Sequence, residues 1–197
     1  EAAVEPFSIN DLYDPEAPLI FSRFYFWRYF AVVLAVFSLL HTRRLWRSGW
    51  LFAVSLFFYY KTSGLFVGLL LFSITMDFLI GRASAAIDDQ LRRRLLLALS
   101  VTLNLLVLGY FKYAHFVVAN LNELLGTSFE PVNYFARWAN LAWDAHFVEN
   151  KVLLPVGISF YTFQCMSYAI DVYRGDLKPV RNLIDFGFYV SFFPQLV

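Results

Sequence analysis

The 197 residues are 59% hydrophobic and 20% aromatic but only 16% charged, with a mean hydropathy of +0.56. So few charges strain any reading as a soluble globule, and the formal charge of +1 conceals a sharp segregation of acids from bases. Because the bases fall in short blocks between apolar runs, and not along one solvated face, the pattern argues against a nucleic-acid partner.

Residues 1–20 open the chain with Glu1, Glu5, Asp11, Asp14 and Glu16, and no Lys or Arg stands among the first sixteen. They lack the basic start and short apolar core of a signal peptide. An apolar run over 21–40 follows, with Arg23 and Arg28 near its start, where long basic stems can reach back to headgroups. After His41, Arg43, Arg44 and Arg47, the pattern predicts two further apolar helices over 50–60 and 65–80, separated by Lys61, Thr62, Ser63 and Gly64. The first of these is short, since about 17–25 residues are needed to cross a hydrocarbon core of about 30 Å. It must recruit residues 47–49 and Lys61, or be shielded by neighbours.

Residues 82–94 read as a polar loop, and 95–125 as a long helix carrying Asn104, Lys112 and His115. At about 1.5 Å per residue that helix overshoots a bilayer, so it must tilt, break near Gly109 or protrude. Between 126 and 151 the apolar runs stop. Tyr134, Phe135, Trp138, Leu141 and Ala142 recur there at helical spacing, which predicts an interfacial amphipathic helix within an extracytoplasmic segment at 127–152. Pro155 suits a first helical turn, and a helix over 155–173 spans about 28 Å. A partial span follows at 184–197.

Arg43, Arg44 and Arg47, then Arg82 and Arg92 to Arg94, then Arg174, Lys178 and Arg181 mark alternate loops. Short basic loops stay cytoplasmic, so the acidic N-terminus should face outward. The expected fold is an all-α polytopic membrane bundle of about five full spans plus a partial sixth.

The helix over 155–173 carries a polar line. Gly157, Tyr161, Gln164, Tyr168 and Asp171 fall four, three, four and three residues apart, along one face. Unsatisfied polar groups in lipid cost several kcal/mol, so this stripe should turn toward a protein interior or a wet cavity. It has two readings. One is structural: hydrogen bonds to neighbouring helices, close approach at Gly157, and an Asp171–Arg174 pair. The other is the lining of a substrate path, since ionisable residues within a membrane are often functional. Asp77 and Asn104 admit the same pair of readings, Asp77 leaning to the structural one beside Arg82.

Searches for familiar chemistry return little. There is no phosphate-cradling glycine loop, no Cys or His cluster with zinc spacing, and no nucleophile elbow. No metal or bound cofactor is expected. Cys165 stands alone, so no intrachain disulfide can form. His41, His115 and His146 are scattered, and interfacial or hydrogen-bonding roles suit them better than general-base catalysis.

Four segments in order, LGYFKYAHF (108–116), VLLPVGISFYTFQCMSYAIDVYRGD (152–176), RNLIDF (181–186) and SFFPQLV (191–197), resemble the membrane-bound O-acyltransferases. The likeness is specifically to the bacterial branch holding the alginate O-acetylation membrane subunit and the D-alanyl transfer protein of teichoic acids. The resemblance implies a multi-pass enzyme of the bacterial inner membrane. It would move an acyl group from a cytoplasmic thioester, acetyl-CoA or an acyl carrier, to a hydroxyl acceptor on the far side. It further implies an extracytoplasmic acetylation partner or polysaccharide acceptor, and a donor or carrier protein inside. The family's catalytic histidine lies in a later Arg- and Trp-rich segment with a His-x-Ser core, which these residues do not contain. None of the three histidines present has those surroundings, so none takes the role, and residues 21–197 are expected to be the N-terminal part of a longer acyltransferase domain, inactive alone. D-alanyl transfer, a noncatalytic scaffold and a transporter are the alternatives.

Overall fold

The computed structural model describes residues 24–40, 42–143 and 154–196, and among them every regular element is helical. The expectations for residues 1–20 and 144–153, and for His41 and His146, lie outside the described residues.

Helix α1 (Phe24–Leu39) and helix α2 (Arg44–Ser63) form the first pair. α2 does recruit flanking residues: its twenty positions take in the basic block before Trp50 and Lys61, Thr62 and Ser63 after Tyr60. It ends where Gly64 adopts φ 58°, and a single 3₁₀ turn, Gly64–Phe66, leads directly into α3 (Val67–Ala86). The break is therefore a tight reversal and not an open loop, and it brings the two helices onto a shared neighbour: Gly187 lies against Phe52 of α2 and Phe186 against Phe78 of α3.

The polar loop expected over 82–94 is three residues long. α3 continues through Arg82 to Ala86, and α4 (Gln90–Leu125) starts at once. Asp89 makes this possible: its side chain accepts from the Leu91 N–H as an N-cap and pairs with Arg92 at 3.3 Å. Such a cap stabilises a helix start by about 1 kcal/mol, and arginines are good helix formers, so charge alone misled the sequence reading.

α4 runs unbroken through Gly109 for 36 residues, about 54 Å at the standard rise. Of the three options, a break near Gly109 is excluded. Its buried face is Ser100, Asn104, Leu108 and Phe111, and nothing beyond Phe111 is buried. Past Gly126 the chain turns back, held by Asn122, which accepts from the Phe129 N–H and donates to the Phe129 carbonyl. α5 (Tyr134–Trp143) then lies against the bundle: Phe135 stacks on Phe66 at 6.0 Å, while Tyr134 and Leu141 stay exposed. This is the amphipathic helix expected from the spacing.

α6 (Ile158–Arg174) begins three residues after Pro155, later than the proline suggested. Gly157 supplies the reason. It holds φ 70°, and a Cβ there would stand 2.8 Å from the Leu196 carbonyl, so both backbone angle and space demand glycine. α7 (Leu183–Ser191), capped by Asn182 on the Ile184 N–H, and the short α8 (Phe193–Leu196) complete the chain.

α6 packs against α3 and α4, and α7 packs against α2 and α3, so α3 and α6 form the centre. Phe186 sits fully buried there, 4.4 Å from the Tyr168 ring and 6.2 Å from Phe78. A second cluster of Phe26, Val33, Val54, Phe58 and Phe193 fastens α1 to α2 and α8.

The exterior is apolar. Leu34, Phe72, Leu79, Leu95, Leu99 and Leu106 are exposed, and only 22% of the most apolar window of α4 is buried. The stretches 45–86 and 90–125 are each long and apolar enough to cross a membrane. An inside-out surface of this kind is what lipid, not water, would solvate.

Candidate functional site

The interior of the bundle holds a column of polar groups in three tiers, strung along the inward face of α6. That face consists of Ile158, Tyr161, Thr162, Cys165, Tyr168, Ala169 and Val172, all buried. Of its polar members, Thr162 lies next to Tyr161, while Tyr161, Cys165 and Tyr168 follow helical spacing of four and three, so one of these side chains enters each tier.

In the middle tier, Asp77 of α3 is completely buried. The Ser100 hydroxyl donates a short hydrogen bond to one carboxyl oxygen, and the Asn104 amide donates to the other at 2.8 Å. Asn104 also donates to the Ser100 carbonyl at 3.0 Å, and the Cys165 thiol faces the same carboxyl from α6. Three helices therefore converge on one acid with neutral donors, and no described cation pairs with it. Sequence reading singled out Asp77 and Asn104 separately and set Asp77 beside Arg82. The structure joins the first two and turns Arg82 away, over the Phe78 ring at 5.7 Å. A spacing of 27 residues across two helices carries no local signal of the pairing.

In the next tier, Tyr161 of α6 and Tyr59 of α2 meet edge to face, with ring centroids 6.5 Å apart. The hydroxyls of Ser63 and Tyr161 flank that of Tyr59 closely enough to interact, yet none of the three makes a well-formed hydrogen bond. Tyr59 and Tyr161 are at most 1% exposed. Native interiors pair nearly all buried polar atoms, so three loosely held hydroxyls in one place are unusual.

The third tier is Tyr168. Its ring slides past Gly81, where a Cβ would lie 2.7 Å from the ring, and its hydroxyl accepts from the Val180 N–H at 3.2 Å. Beside it, Arg93 of α4 donates to the Tyr173 carbonyl at 2.7 Å and lies over the Tyr173 ring at 5.6 Å. A cation on the last carbonyls of α6 complements the negative end of that helix. The sequence pattern places Arg93 in a polar loop, and only its actual place in α4 gives it this reach.

Of the five stripe residues, Tyr161 and Tyr168 enter the column. Gln164 is half-buried on the shoulder and donates to the Tyr189 carbonyl of α7 at 2.8 Å. Asp171 is half-buried and makes no ion pair with Arg174, while its carbonyl accepts from the Asp176 N–H as the helix ends. Gly157 caps the helix against Leu196. Cys165, which the sequence marks only as a lone thiol, joins the column; its position four residues after Tyr161 is the available signal.

Two cavities lie away from the column. One, of 430 Å³, is apolar and lined by Leu40, Leu45, Trp46, Gly49, Trp50 and Ile184. The other, of 540 Å³, is lined by Arg82, Ala85, Ala86, Lys178, Pro179, Val180 and Arg181. Through them the connections α1–α2, α3–α4 and α6–α7 gather at one end of the bundle, and these carry the three basic blocks. Among the described residues no group of three or more His, Cys, Asp or Glu is placed to hold a metal. His115 is exposed on α4, beyond the buried face that ends at Phe111.

Sequence comparison gives the column a context. The chain is 43% identical over 136 residues to the "Probable alginate O-acetylase" of Azotobacter vinelandii, a match covering 68% of this chain and 23% of that protein. It is 44% identical over 135 residues to the protein of the same name in Pseudomonas aeruginosa, covering 68% and 22%. It is also 28% identical over 172 residues to the "Peptidoglycan O-acetyltransferase" of Helicobacter pylori, covering 75% and 29%. The matched stretch is thus less than a third of each relative's length. No family model matches the chain, and no solved structure does.

Proposed function

We propose, on the premise that its relatives bear out the resemblance to the membrane-bound O-acyltransferases, that this chain forms part of a membrane enzyme transferring an acetyl group to hydroxyls of an exported polysaccharide. The observation that carries the reading is the agreement of two differently named O-acetylating proteins, one aligned along 68% of the chain and the other along 75%. Their printed names favour acetyl over D-alanyl transfer.

In this reading the chain is a multi-pass protein of the bacterial inner membrane, with the basic end of the bundle inside and the end bearing α5 outside. The donor is a cytoplasmic thioester, acetyl-CoA or an acyl carrier, and the acceptor arrives on the other face, alone or with an acetylation partner. The bundle's own contribution is a rigid, water-poor wall. Asp77, Ser100, Asn104 and Cys165 lock α3, α4 and α6 together, and the Tyr59, Ser63 and Tyr161 hydroxyls offer donors where an acyl oxygen could pass. The proton-abstracting base comes from residues outside these 197.

The test uses membranes containing the full-length protein and a radiolabelled acetyl thioester. Label should pass into the glycan fraction and fall to background when the gene is deleted. Undiminished labelling after deletion would overturn the proposal.

A further inference from the structure

The 540 Å³ cavity at the basic end lies within the range of about 300–1,000 Å³ typical of small-molecule sites. Its wall is unusual in charge. Arg82, Lys178 and Arg181 contribute three cations, and the remaining lining residues, Ala85, Ala86, Pro179 and Val180, contribute no acid. The acids nearest in sequence are accounted for elsewhere or simply do not line it. Asp89 caps α4 and pairs with Arg92, while Asp88, Asp176 and Asp185 are absent from the lining. None of the three cations has an ion pair among the described residues.

Basic residues at the end of a membrane bundle are commonly a solvated face and nothing more. Three observations separate this cluster from that case. First, Arg82 on α3 and Lys178 and Arg181 on the α6–α7 connection border a concavity to which α3 also contributes two small residues, Ala85 and Ala86. Second, the 178–181 segment is held in place: the Val180 N–H is tied to Tyr168, Tyr168 is lodged against Gly81, and Pro179 has a fixed φ. Third, the Arg82 guanidinium is oriented over Phe78, which leaves its edge free to donate. The backbone that carries Lys178 and Arg181 is thereby fixed, and the three cationic side chains are exposed, where a ligand can reach them. The last-turn carbonyls of α3 oppose an anion there, but they amount to about half a charge against three.

We propose that this cavity binds a phosphate group, with Arg82 as a planar two-point donor and Lys178 and Arg181 as flanking charges. Tyr168 is a positioning residue that holds the 178–181 wall. Two sources carry such a group at a membrane surface: an anionic phospholipid headgroup and a phosphate-bearing soluble thioester donor. The second source rests on the acyltransferase reading, whereas the first does not.

The experiment uses the full-length protein in nanodiscs. In phosphatidylcholine discs, radiolabelled coenzyme A is titrated, with pantetheine, which lacks phosphate, as competitor. In mixed discs, phosphatidylglycerol retained on the protein is counted by native mass spectrometry. Arg82→Gln with Lys178→Gln and Arg181→Gln should weaken one of the two by about tenfold or more, as expected for loss of charge-assisted contacts. Ala85→Glu, which leaves every cation in place, should do the same by repulsion. Arg92→Gln, outside the cavity, should change neither by more than about twofold. Loss in the coenzyme A arm, without competition by pantetheine, assigns the soluble donor; loss in the phosphatidylglycerol arm assigns the lipid. Unchanged binding in both arms overturns the proposal. Because binding is read apart from acetyl transfer, a protein that binds but fails to label glycan would count against the function and not against the site.

Discussion

Two polar tiers lie one helical turn apart on α6 and differ in almost every respect that matters for their roles. Around Asp77, both carboxyl oxygens receive well-formed hydrogen bonds, from donors on one neighbouring helix, and the thiol of α6 closes the ring. Around Tyr161, three hydroxyls crowd together without a proper partner. A satisfied network in a low-dielectric interior rigidifies and specifies packing, whereas an unsatisfied one is retained at a cost of about 1–3 kcal/mol per group. The first tier thus behaves as structural glue. The second leaves three hydroxyls without a partner, which the proposed function would use as donors to a passing acyl group. Proximity along the sequence says nothing about which is which; only the partners on α2, α3 and α4 separate them.

The largest effect should come from the satisfied tier. Asp77→Leu strands the Ser100 and Asn104 donors, and unfolding of the full-length protein in detergent should become easier by about 3 kcal/mol. Replacing Asn104 by Leu as well should restore part of the loss, because removing both partners costs less than removing one. A loss below about 0.5 kcal/mol for the single variant would break the distinction between the tiers.

Next in size is the tier at Tyr168. Gly81→Ala puts a methyl 2.7 Å from the Tyr168 ring, and overpacking of this kind costs about 1–3 kcal/mol. Tyr168→Phe should not rescue it, since ring carbon as well as hydroxyl is struck, whereas Tyr168→Leu should rescue the stability while loosening the 178–181 segment. Thermal unfolding of the single and double variants reads this directly.

Tyr161→Phe is the inverse experiment. Its hydroxyl has no well-formed partner to lose, so stability should stay within about 0.5 kcal/mol of the parent. Acetyl transfer, assayed at matched protein level, should nevertheless fall about tenfold if that hydroxyl serves the reaction path. Normal transfer with normal stability would make this tier a packing defect and nothing else.

Much of this architecture could be read from the letters, and the failures have a common cause. Apolar runs gave the helices around α1, α3, α4 and α6, and the aromatic spacing at Tyr134, Phe135 and Trp138 gave α5. The extents failed where a local rule was outvoted. Arg82 and Arg92 to Arg94 looked like loop and are helix, because Asp89 caps α4 and arginine stems tolerate a helix. Pro155 looked like a first turn, but the left-handed Gly157 delays the start. The polar stripe was legible as inward-facing for Tyr161 and Tyr168, while Gln164 rotates to the shoulder because the actual inward line passes through Cys165. Which groups each one meets depends on contacts across many residues, and no periodicity within one helix encodes them.

The smallest effect tests that shoulder. Gln164 lies between the two tiers in sequence, and its amide joins α6 to α7 through the Tyr189 carbonyl at 2.8 Å, while its own carbonyl oxygen is buried without a partner. Helix-to-helix hydrogen bonds within a membrane contribute about 0.6 kcal/mol on average, so Gln164→Leu should lower stability only by about that amount. The neighbouring Phe163 is 57% exposed, and Phe163→Leu should cost still less. If Gln164 belongs with the Tyr161 tier and borders the reaction path, Gln164→Leu should reduce acetyl transfer several-fold more than Phe163→Leu at equal expression. Equal losses would place it with the Asp77 tier instead, as a link between helices whose free oxygen serves no substrate.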